Sequence, residues 1–394
     1  MARQILTLNQ ISIKGLERLP RDGYEIASEF SHPDAILLRS HKLQAGDIAD
    51  SVLAIGRAGA GVNNIPVTAC TERGIPVFNS PGANANAVKE LVATGMLLGS
   101  RGVVEGIEYV HSLAGEQDEA VLNTTLEANK KKFKGSELSG KTLGVVGLGA
   151  IGSMVAEMAL TLGMDVIGYD PALSVEAAWR LSSQVRKADT LSALFARCDY
   201  ISLHLPVLDS TRGLINAELL GAIRPDTCLL NFARQEIVDE QALIGALEEG
   251  KLRRYIADFP SPALIARNDV ILMPHIGAST DEAEDNCAVM AADQLRDFLE
   301  NGNIRNSVNF PTLQLERVSG CRLSVTNENV PRILGSLLST LADENINVID
   351  MLNKSRGDVA YNLIDIDTHP ADNVIAKMRE LDGVINVRLI GDCA

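Results

Sequence analysis

Three glycines between a predicted strand and a predicted helix have a regular spacing. Gly147, Gly149 and Gly152 form the pattern G-x-G-x-x-G directly after the apolar run from Thr142 to Leu148. In such a turn the first glycine permits a sharp bend, the second lets the backbone approach a pyrophosphate, and the third lets the helix pack closely on the strand. The pyrophosphate would lie at the helix N-terminus, where unpaired N–H groups and the helix dipole favour an anion. The spacing therefore predicts a dinucleotide site.

An acidic residue ends the next predicted strand. Asp170 follows Gly152 by eighteen residues, where a carboxylate can accept hydrogen bonds from both ribose hydroxyls of the adenosine. A carboxylate there would repel a 2′-phosphate, so the residue favours NAD over NADP. A glycine pattern alone could be an ordinary turn before a helix. Here the strand, the helix and an acidic residue at the end of the next strand follow one another at the expected spacing, and this combination favours NAD binding.

Two polar side chains follow later apolar runs. Arg234 ends the segment TCLLNFAR, and His275 lies in DVILMPHIGAS. The carboxyl ends of parallel strands form the edge of the sheet where a dinucleotide binds. There an arginine can hold a carboxylate by paired hydrogen bonds, and a histidine can exchange a proton near neutral pH. Taken alone, His275 is better explained as a histidine with satisfied hydrogen bonds at a strand end.

The N-terminal region and a basic run offer further anion sites. Glycine-rich turns follow two apolar runs, one from Arg57 to Gly61 and one from Asn79 to Asn84. Backbone N–H groups that such turns expose can hold a carboxylate or a phosphate, although each turn could serve the fold alone. The basic residues 130–134 end a predicted polar helix over 105–134. We interpret them as a solvated helix end, with binding of an anionic substrate as the alternative.

These motifs lie on regularly alternating predicted strands and helices. Residues 1–98 predict a small parallel α/β domain, and residues 99–279 predict a second, doubly wound one. A long amphipathic helix is predicted from Asp281 to Gly302, followed by a linker over 303–315. Residues 316–394 predict a ferredoxin-like βαββαβ module.

Composition excludes several classes of protein. The chain has 394 residues, which suggests two or three domains, and its net charge of −15 argues against nucleic acid or an acidic membrane as main partner. No apolar run is long enough to span a bilayer, and the N-terminus MARQILTLNQ lacks the apolar core of a signal peptide, so we expect a cytoplasmic protein. The six cysteines lack metal-like or disulfide-like spacing, so we expect small buried side chains and no metal site.

The order of the motifs resembles that of the D-2-hydroxyacid dehydrogenase family. Residues 1–310 match it at RAGAGVNN, GLGAIG…YD, FARQEIVDEQAL and HIGAST. The whole chain, with its C-terminal ACT-like module, is similar to members that oxidise 3-phosphoglycerate to 3-phosphohydroxypyruvate with NAD at the start of serine biosynthesis. The resemblance implies two Rossmann-like domains around a cleft, with residues 280–310 returning to the first. It also implies a homodimer, formed through the nucleotide domains, or a homotetramer.

The resemblance also implies roles for individual residues. Arg234 would hold the substrate carboxylate and His275 would exchange the hydroxyl proton. The implied cofactor contacts are Gly147, Gly149, Ala150, Ile151, Gly152, Asp170, Pro206, Phe232, Ala233, Arg234, Asp258, His275, Gly277 and Ala278. The implied substrate contacts are Arg57, Gly59, Ala60, Gly61, Asn84, Lys130 and Lys131.

One departure from the family pattern concerns His275. In the family, a glutamate before a proline follows the Asp-containing strand end and pairs with the histidine. Here no glutamate lies between Asp258 and His275. Either another carboxylate is a stand-in for the missing glutamate, with Asp258 the nearest candidate in sequence, or the dyad is lost. In the family, however, the position of Asp258 contacts the nicotinamide amide. Gln235 also replaces the usual glycine after Arg234.

The C-terminal module departs from its relatives as well. Asn329 and Asn347 match asparagines that bind L-serine across a module interface in serine-inhibited relatives. Asn327, a third candidate, replaces a histidine, and Arg332 replaces a glycine that follows a proline in the effector turn. An L-serine effector and a module that only assembles subunits are the two expectations.

Three functions compete at this stage. The leading hypothesis is NAD-dependent oxidation of 3-phosphoglycerate. The first alternative is another 2-hydroxyacid dehydrogenase, such as a hydroxypyruvate or glyoxylate reductase, and the C-terminal module argues against it. The second is a non-catalytic NAD-sensing protein, which the missing glutamate favours and the retained Arg234 and His275 oppose.

Overall fold

The computed structural model describes residues 2–317 and 320–391. Two compact units are present, residues 1–84 with 280–394 and residues 85–279. The three-domain division of the sequence analysis stays a prediction. In the structure, residues 85–98 belong to the second unit and the C-terminal sheet belongs to the first.

Short strands alternate with helices along the described residues. The strands are β1 (Arg3–Leu8), β2 (Tyr24–Ala27), β3 (Ala35–Leu38), β4 (Ala54–Arg57), β5 (Val77–Phe78), β6 (Thr142–Val146), β7 (Asp165–Tyr169), β8 (Arg186–Lys187), β9 (Tyr200–Leu203), β10 (Cys228–Asn231), β11 (Arg254–Ala257), β12 (Val270–Leu272), β13 (Cys321–Glu328), β14 (Val348–Arg356), β15 (Val359–Ile366) and β16 (Val384–Ile390).

The α-helices are α1 (Ile13–Leu16), α2 (Val67–Glu72), α3 (Ala85–Ser100), α4 (Val103–Ser112), α5 (Glu119–Asn129), α6 (Ala150–Thr161), α7 (Val175–Arg180), α8 (Leu191–Phe195), α9 (Ala217–Gly221), α10 (Glu240–Glu248), α11 (Asp281–Asn301), α12 (Ile333–Asp343) and α13 (Asp372–Arg379). Short 3-10 helices occur at Ala45–Asp47, Lys130–Phe133 and Gln235–Ile237.

The second unit is built on a seven-stranded parallel sheet. Its order is β12-β11-β10-β9-β6-β7-β8, so the direction of winding reverses between β6 and β9. Consecutive apolar residues face opposite sides: Leu143 and Val145 lie in one core, and Val146 lies in the other. Burial on both faces explains why these strands are continuous apolar runs. The predicted doubly wound domain is confirmed.

The first unit contains a five-stranded parallel sheet in the order β2-β1-β3-β4-β5. Helix α11 packs on α1 and on this sheet through close contacts at two glycines, Gly15 of α1 and Gly56 of β4. A Cβ on Gly15 would lie 2.5 Å from Cβ of Ala288, and a Cβ on Gly56 would lie 2.8 Å from Leu295. The predicted helix at Asp281 is confirmed, and Gly302 ends it with a φ of 74°.

The predicted single helix over 105–134 is wrong. The segment forms α4, α5 and a 3-10 turn at Lys130–Phe133. Helix α5 begins at Glu119, and the side chain of the preceding Asp118 accepts hydrogen bonds from the N–H groups of Ala120 and Val121. An aspartate in this position caps a helix N-terminus, so it interrupts the longer helix.

The C-terminal part has the predicted βαββαβ order, and its antiparallel sheet runs β14-β15-β13-β16. One face carries α12 and α13 over a core of its own. The other face contributes Tyr361 and Leu363 to the core that contains Phe298 and Phe310. The ferredoxin-like order is confirmed, and the domain shares a core with the first α/β domain.

A buried ion pair reinforces this shared core. Arg322 is fully buried and donates to both carboxylate oxygens of Asp365, at 2.6 and 2.8 Å. The same guanidinium donates to the carbonyls of Asn301 and Leu315, at 3.0 and 2.8 Å. The arginine therefore joins the end of α11 to the C-terminal sheet.

Four cysteines agree with the sequence analysis. Cys70, Cys198, Cys228 and Cys287 are free and buried. Cys321 is buried but disulfide-bonded, which the sequence analysis did not expect. Cys393 lies outside the described residues. Within the described ranges, none of the helices has the length and apolar character that crossing a membrane requires.

Arg332 occupies a backbone conformation that suits glycine. It precedes α12 with a φ of 81°. A side chain with a Cβ costs roughly 1–2 kcal/mol in this left-handed region. An arginine at this position therefore leaves local strain at the start of the helix.

We predict that Arg332→Gly raises the free energy of unfolding by about 1 kcal/mol, because relief of the strain exceeds the extra flexibility of glycine in the unfolded chain. Urea denaturation measures the difference. Arg332→Ala removes the charge but keeps the Cβ, so it should give no such gain. Equal stabilisation by both variants would contradict the explanation.

Candidate functional site

The glycine turn after β6 depends on two close approaches of backbone atoms. Gly147 has a φ of 90°, and a Cβ there would lie 2.5 Å from the carbonyl oxygen of His204. A Cβ on Gly152 would overlap the carbonyl oxygen of Gly147. Only glycine fits at these positions, and the second contact lets α6 begin directly against β6.

Open space faces Gly149, unlike its two neighbours in the pattern. A Cβ on Gly149 would meet nothing within 4 Å. Helix α6 begins at Ala150 without a side-chain cap. In the described part of the chain, the N–H groups of Ala150, Ile151 and Gly152 find no acceptor. An anion placed over Gly149 would therefore meet unpaired donors at a positive helix end.

Asp170 directly follows β7, the neighbour of β6 in the sheet. Its Oδ2 accepts a hydrogen bond from the N–H of Leu148 at 2.8 Å, and its Oδ1 accepts one from Ala172 at 2.9 Å. These bonds fix the carboxylate beside the glycine turn, and each oxygen keeps a further lone pair for a ribose hydroxyl. The residues of this edge fit NAD.

His204, for which the sequence predicted no role, lies at the same edge, just after β9. Its Nε2 is 2.9 Å from the hydroxyl of Ser202, and its Nδ1 is buried without a partner among the described residues. Burial lowers the pKa of His204 to about 3, so the ring is neutral at physiological pH. The histidine within the apolar segment YISLHLP was the available signal. Pro206, two residues later, is exposed.

Arg234 lies in an exposed loop after β10, and its Nη1 donates to its neighbour's carbonyl, that of Ala233, at 2.7 Å. Asn231, also missed from the sequence, holds this loop. It is fully buried, accepts from the N–H of Ala233 at 3.2 Å and donates to the carbonyl of Arg234 at 2.9 Å. Phe232 is buried in the core beside Gly95 of α3. An asparagine ending a buried strand was the signal for this role.

His275 is exposed and has a φ of 59°, which is uncommon for a residue with a Cβ. Its ring lies 5.0 Å from that of Phe259, centroid to centroid. The backbone beyond it is fixed by Asp258. Oδ1 of Asp258 accepts from the N–H of Ile276 at 2.8 Å, and Oδ2 accepts from Gly277 at 2.7 Å. Asp258 is 2% exposed, so these are buried, charge-assisted bonds.

No hydrogen bond or ion pair joins His275 to a carboxylate within residues 2–317 and 320–391. Asp258 is bonded to the loop backbone and not to the imidazole. Ala278, next in the loop, is half-buried. Whether Asp258 replaces the missing glutamate stays a prediction, and the geometry favours a role in holding the loop.

The predicted substrate turn of the first unit is held by hydrogen bonds. The Nε of Arg57 donates to the carbonyl of Arg39 at 3.2 Å, and Asn79 donates to the carbonyl of Ala60 at 2.6 Å. Ser80 donates to the carbonyl of Cys287 in α11 at 2.8 Å. The bonds tie both glycine-rich turns together and to α11. Gly59, Gly61 and Asn84, which belong to the same turns, are each partly exposed.

The two predicted substrate lysines lie in the second unit. Lys130 and Lys131 are exposed in the 3-10 turn after α5, and Lys130 forms an ion pair with Glu127. Among the described residues no hydrogen bond or ion pair links them to Arg234 or His275. Their substrate role stays a prediction.

The three effector candidates differ in their surroundings. Asn327 is 5% exposed, and its side chain donates to the carbonyl of Glu328 at 2.6 Å and accepts from Asn362 at 2.7 Å. Asn329 is exposed and donates to the carbonyl of Gly357 at 3.1 Å. Asn347 is exposed at the start of β14. Only Asn329 and Asn347 present accessible side chains.

A metal site would need several grouped ligands. Within the described ranges, no three His, Cys, Asp or Glu side chains are grouped in the way that a metal ion requires. The expectation of a metal-free site stays a prediction.

The reversal of winding between β6 and β9, the glycine turn and Asp170 together define a dinucleotide-binding α/β protein of the NAD type. Residues 107–277 match the family model described as D-isomer specific 2-hydroxyacid dehydrogenase, NAD binding domain.

Known proteins resemble the chain over most of its length. D-3-phosphoglycerate dehydrogenase of Haemophilus influenzae is 33% identical over 384 residues, which are 94% of this chain and 89% of that protein. The Escherichia coli K12 protein of the same name is 32% identical, over 98% of this chain and 97% of its own length. The crystal structure of NAD+-bound 3-phosphoglycerate dehydrogenase from Entamoeba histolytica superposes with a TM-score of 0.61, at 29% identity, over 79% of this chain and 100% of that one. The chain belongs to the D-isomer specific 2-hydroxyacid dehydrogenase family and is an NAD-dependent enzyme of that family.

The geometry at the glycine turn separates cofactor binding from folding. We predict that Gly149→Val lowers NADH affinity at least 100-fold and leaves the melting temperature within about 2 °C, because its side chain fills open space over the helix N-terminus. Gly152→Ala should lose both affinity and stability, because its Cβ overlaps a carbonyl oxygen.

NADH fluorescence titration and thermal unfolding measure the two effects. Gly245→Ala in α10, where a Cβ meets nothing within 4 Å, is the matched control and should not destabilise. Normal NADH binding by Gly149→Val would refute the placement of the pyrophosphate.

The bonds of Asp258 predict a positioning role. In Asp258→Asn an amide N–H₂ would face a backbone N–H, so we expect about 2 kcal/mol of lost stability and at least a tenfold drop in kcat. Steady-state kinetics on the folded protein and urea denaturation measure the two separately.

Asp189→Asn is the matched control: it removes an equivalent charge from an exposed ion pair of the same unit and should change neither the free energy of unfolding nor kcat. A loss of stability with unchanged kcat would assign Asp258 to the fold alone.

Proposed function

We propose that the chain oxidises 3-phosphoglycerate to 3-phosphohydroxypyruvate with transfer of a hydride to NAD. The observation that carries the proposal is the position of Arg234 and His275, which lie exposed in the loops that follow β10 and β12 of the NAD-binding unit. The support from relatives is that full-length D-3-phosphoglycerate dehydrogenases align over nearly the whole chain, including its C-terminal sheet domain.

The roles follow from the chemistry of each side chain. The planar guanidinium of Arg234 binds the substrate carboxylate by two parallel hydrogen bonds and polarises the adjacent carbon–oxygen bond. His275 accepts the hydroxyl proton as the alcohol becomes a ketone. NAD, when bound, supplies the acceptor for the hydride. Asp258 holds the loop that carries His275, and the ring of Phe259 packs beside the imidazole.

Further substrate contacts belong to the same proposal. Arg57 offers a cationic group for an anion, Ala60 and Gly61 offer backbone N–H groups, and Asn84 offers an amide. Gly59 shapes this turn, since its own N–H donates to the carbonyl of Arg57 at 2.9 Å. The ammonium groups of Lys130 and Lys131 suit a phosphate. A substrate with both a carboxylate and a phosphate matches these groups.

The partners of the chain are proposed in the same way. Ile107 and Val110 on α4 expose 53% and 51% of their surfaces, which supports subunit contact through the second unit in a homodimer or homotetramer. Exposed Asn329 and Asn347 support an L-serine effector at the C-terminal domain. A cytoplasmic location completes the proposal.

One observation favours a second candidate function. The imidazole of His275 has no carboxylate partner within the described residues, and a histidine so placed is less firmly oriented for proton transfer. A non-catalytic NAD-sensing protein on the same scaffold is therefore the alternative. Another 2-hydroxyacid dehydrogenase is the third reading, since the roles of Arg234 and His275 do not depend on the phosphate.

We expect the purified chain to form NADH from 3-phosphoglycerate in a coupled assay. His275→Asn should reduce turnover at least 100-fold and leave the Kd for NADH within about twofold, because it removes the acid/base group and asparagine tolerates a positive φ. Addition of L-serine to the same assay tests the effector.

The outcomes separate the three functions. Faster turnover of hydroxypyruvate or glyoxylate than of the phosphorylated substrate would reassign the substrate. Tight NADH binding without turnover of any 2-oxoacid would favour the sensor. Unchanged activity of His275→Asn would refute the acid/base assignment.

A further inference from the structure

A small cavity of about 10 Å³ lies in the first unit, where the connections of the α/β sheet meet the C-terminal sheet. Its walls include Leu53, Gly74 and Phe298 from the α/β part and Thr326, Asn386 and Arg388 from the C-terminal part. We call it the Arg388 cavity. Its volume suits one particle of about the size of a water molecule.

Arg388 lies in the cavity wall and forms no ion pair with any described residue. Its Nη2 donates to the carbonyl of Phe298 at 2.6 Å, and its guanidinium lies 4.4 Å from the centroid of that ring. The Nε and Nη1 atoms are buried and have no hydrogen-bond partner within the described residues. In the same ranges no carboxylate lies within 4.0 Å of the guanidinium.

The guanidinium keeps its charge despite this burial. Desolvation lowers the pKa of Arg388 to about 10, which still leaves the group protonated at neutral pH. A buried charge without a partner is strongly unfavourable, and the ring of Phe298 offsets only part of that penalty. The unpaired N–H groups therefore require an acceptor, preferably a negative one.

The other polar walls of the cavity provide donors. Ser324 and Thr326 contribute hydroxyls, and Asn386 contributes an amide. Tyr361, also in the wall, donates its hydroxyl to the carbonyl of Gly302 at 2.7 Å. The wall contains no carboxylate. A monatomic anion satisfies this set of groups, whereas phosphate, sulfate and organic acids are too large for the space.

We propose that the Arg388 cavity binds a single chloride ion, held by Nε and Nη1 of Arg388 with Thr326 and Asn386 as further donors. The ion neutralises the buried guanidinium and joins the last turns of α11, which carry Phe298, to β16. It thereby stabilises the contact between the α/β domain and the C-terminal sheet. The inference stands whatever substrate the enzyme uses.

Bromide identifies the site directly. A crystal of the full chain soaked in sodium bromide should show an anomalous scattering peak within hydrogen-bond distance of Nε and Nη1 of Arg388. A crystal in which the cavity holds only water, with no anomalous peak, would overturn the proposal.

Thermal unfolding tests the same site in solution. With chloride exchanged for gluconate at constant ionic strength, the melting temperature of the unsubstituted chain should rise by about 2 °C for each tenfold increase in chloride above its Kd. Gluconate is too large to enter. Arg388→Met should remove this dependence, and Arg305→Met, which removes a charge from an exposed arginine of the same unit, should keep it.

A second variant covers the case in which Arg388→Met does not fold. Thr326→Val keeps the shape of the wall but removes one donor, so the chloride concentration for half-maximal stabilisation should rise several-fold. Equal chloride dependence in the unsubstituted chain, Arg388→Met and Thr326→Val, or no dependence in any of them, would refute the site.

Discussion

Helix α6 can begin against β6 only because Gly152 has no side chain. The contact between its α-carbon and the carbonyl oxygen of Gly147 leaves no room for a Cβ. The position of the helix in turn directs its unpaired N–H groups into the open space over Gly149. In the same turn, the N–H of Leu148 donates a hydrogen bond to the carboxylate of Asp170 at 2.8 Å. One backbone contact therefore aligns the phosphate end and the ribose end of the cofactor site.

The two proposed catalytic residues, His275 and Arg234, are positioned in a different way, through the loops that carry them. Asp258 uses both carboxylate oxygens on the backbone that follows His275, so the histidine is placed through its loop. Arg234 is placed in a comparable way, since buried Asn231 holds the loop that carries it. In both cases a buried polar side chain fixes the loop that carries an exposed side chain with a proposed catalytic role. Buried, satisfied hydrogen bonds suit this task because they are expensive to break.

The C-terminal sheet is joined to the α/β domain by a common apolar core and a buried ion pair. Tyr361 lies in the same core as Phe298, and Arg322 bonds both Asp365 and the carbonyl of Asn301 at the end of α11. A displacement of the sheet would break these contacts. Movement of the sheet is therefore coupled to α11 through packed side chains and the buried ion pair. This connection gives a physical basis for the proposed regulation through the C-terminal domain.

The sequence by itself determined the features that depend on local spacing: the glycine turn, Asp170 at a strand end, Arg234 and His275 after apolar runs, and the βαββαβ order. Spacing is sufficient there because strand, turn and helix are contiguous in the chain. It failed at the predicted 105–134 helix, where a cap at Asp118 outweighed continuing helical character.

Only the tertiary structure decided which partners the buried polar groups have. Asp258 accepts hydrogen bonds from the backbone N–H groups of Ile276 and Gly277, and Asn231 donates one to the backbone carbonyl of Arg234. The guanidinium of Arg388 has no carboxylate partner among the described residues. Residue types allow several partners for each of these groups. The choice among them depends on which segments the fold brings within hydrogen-bond distance, and no local pattern contains that information.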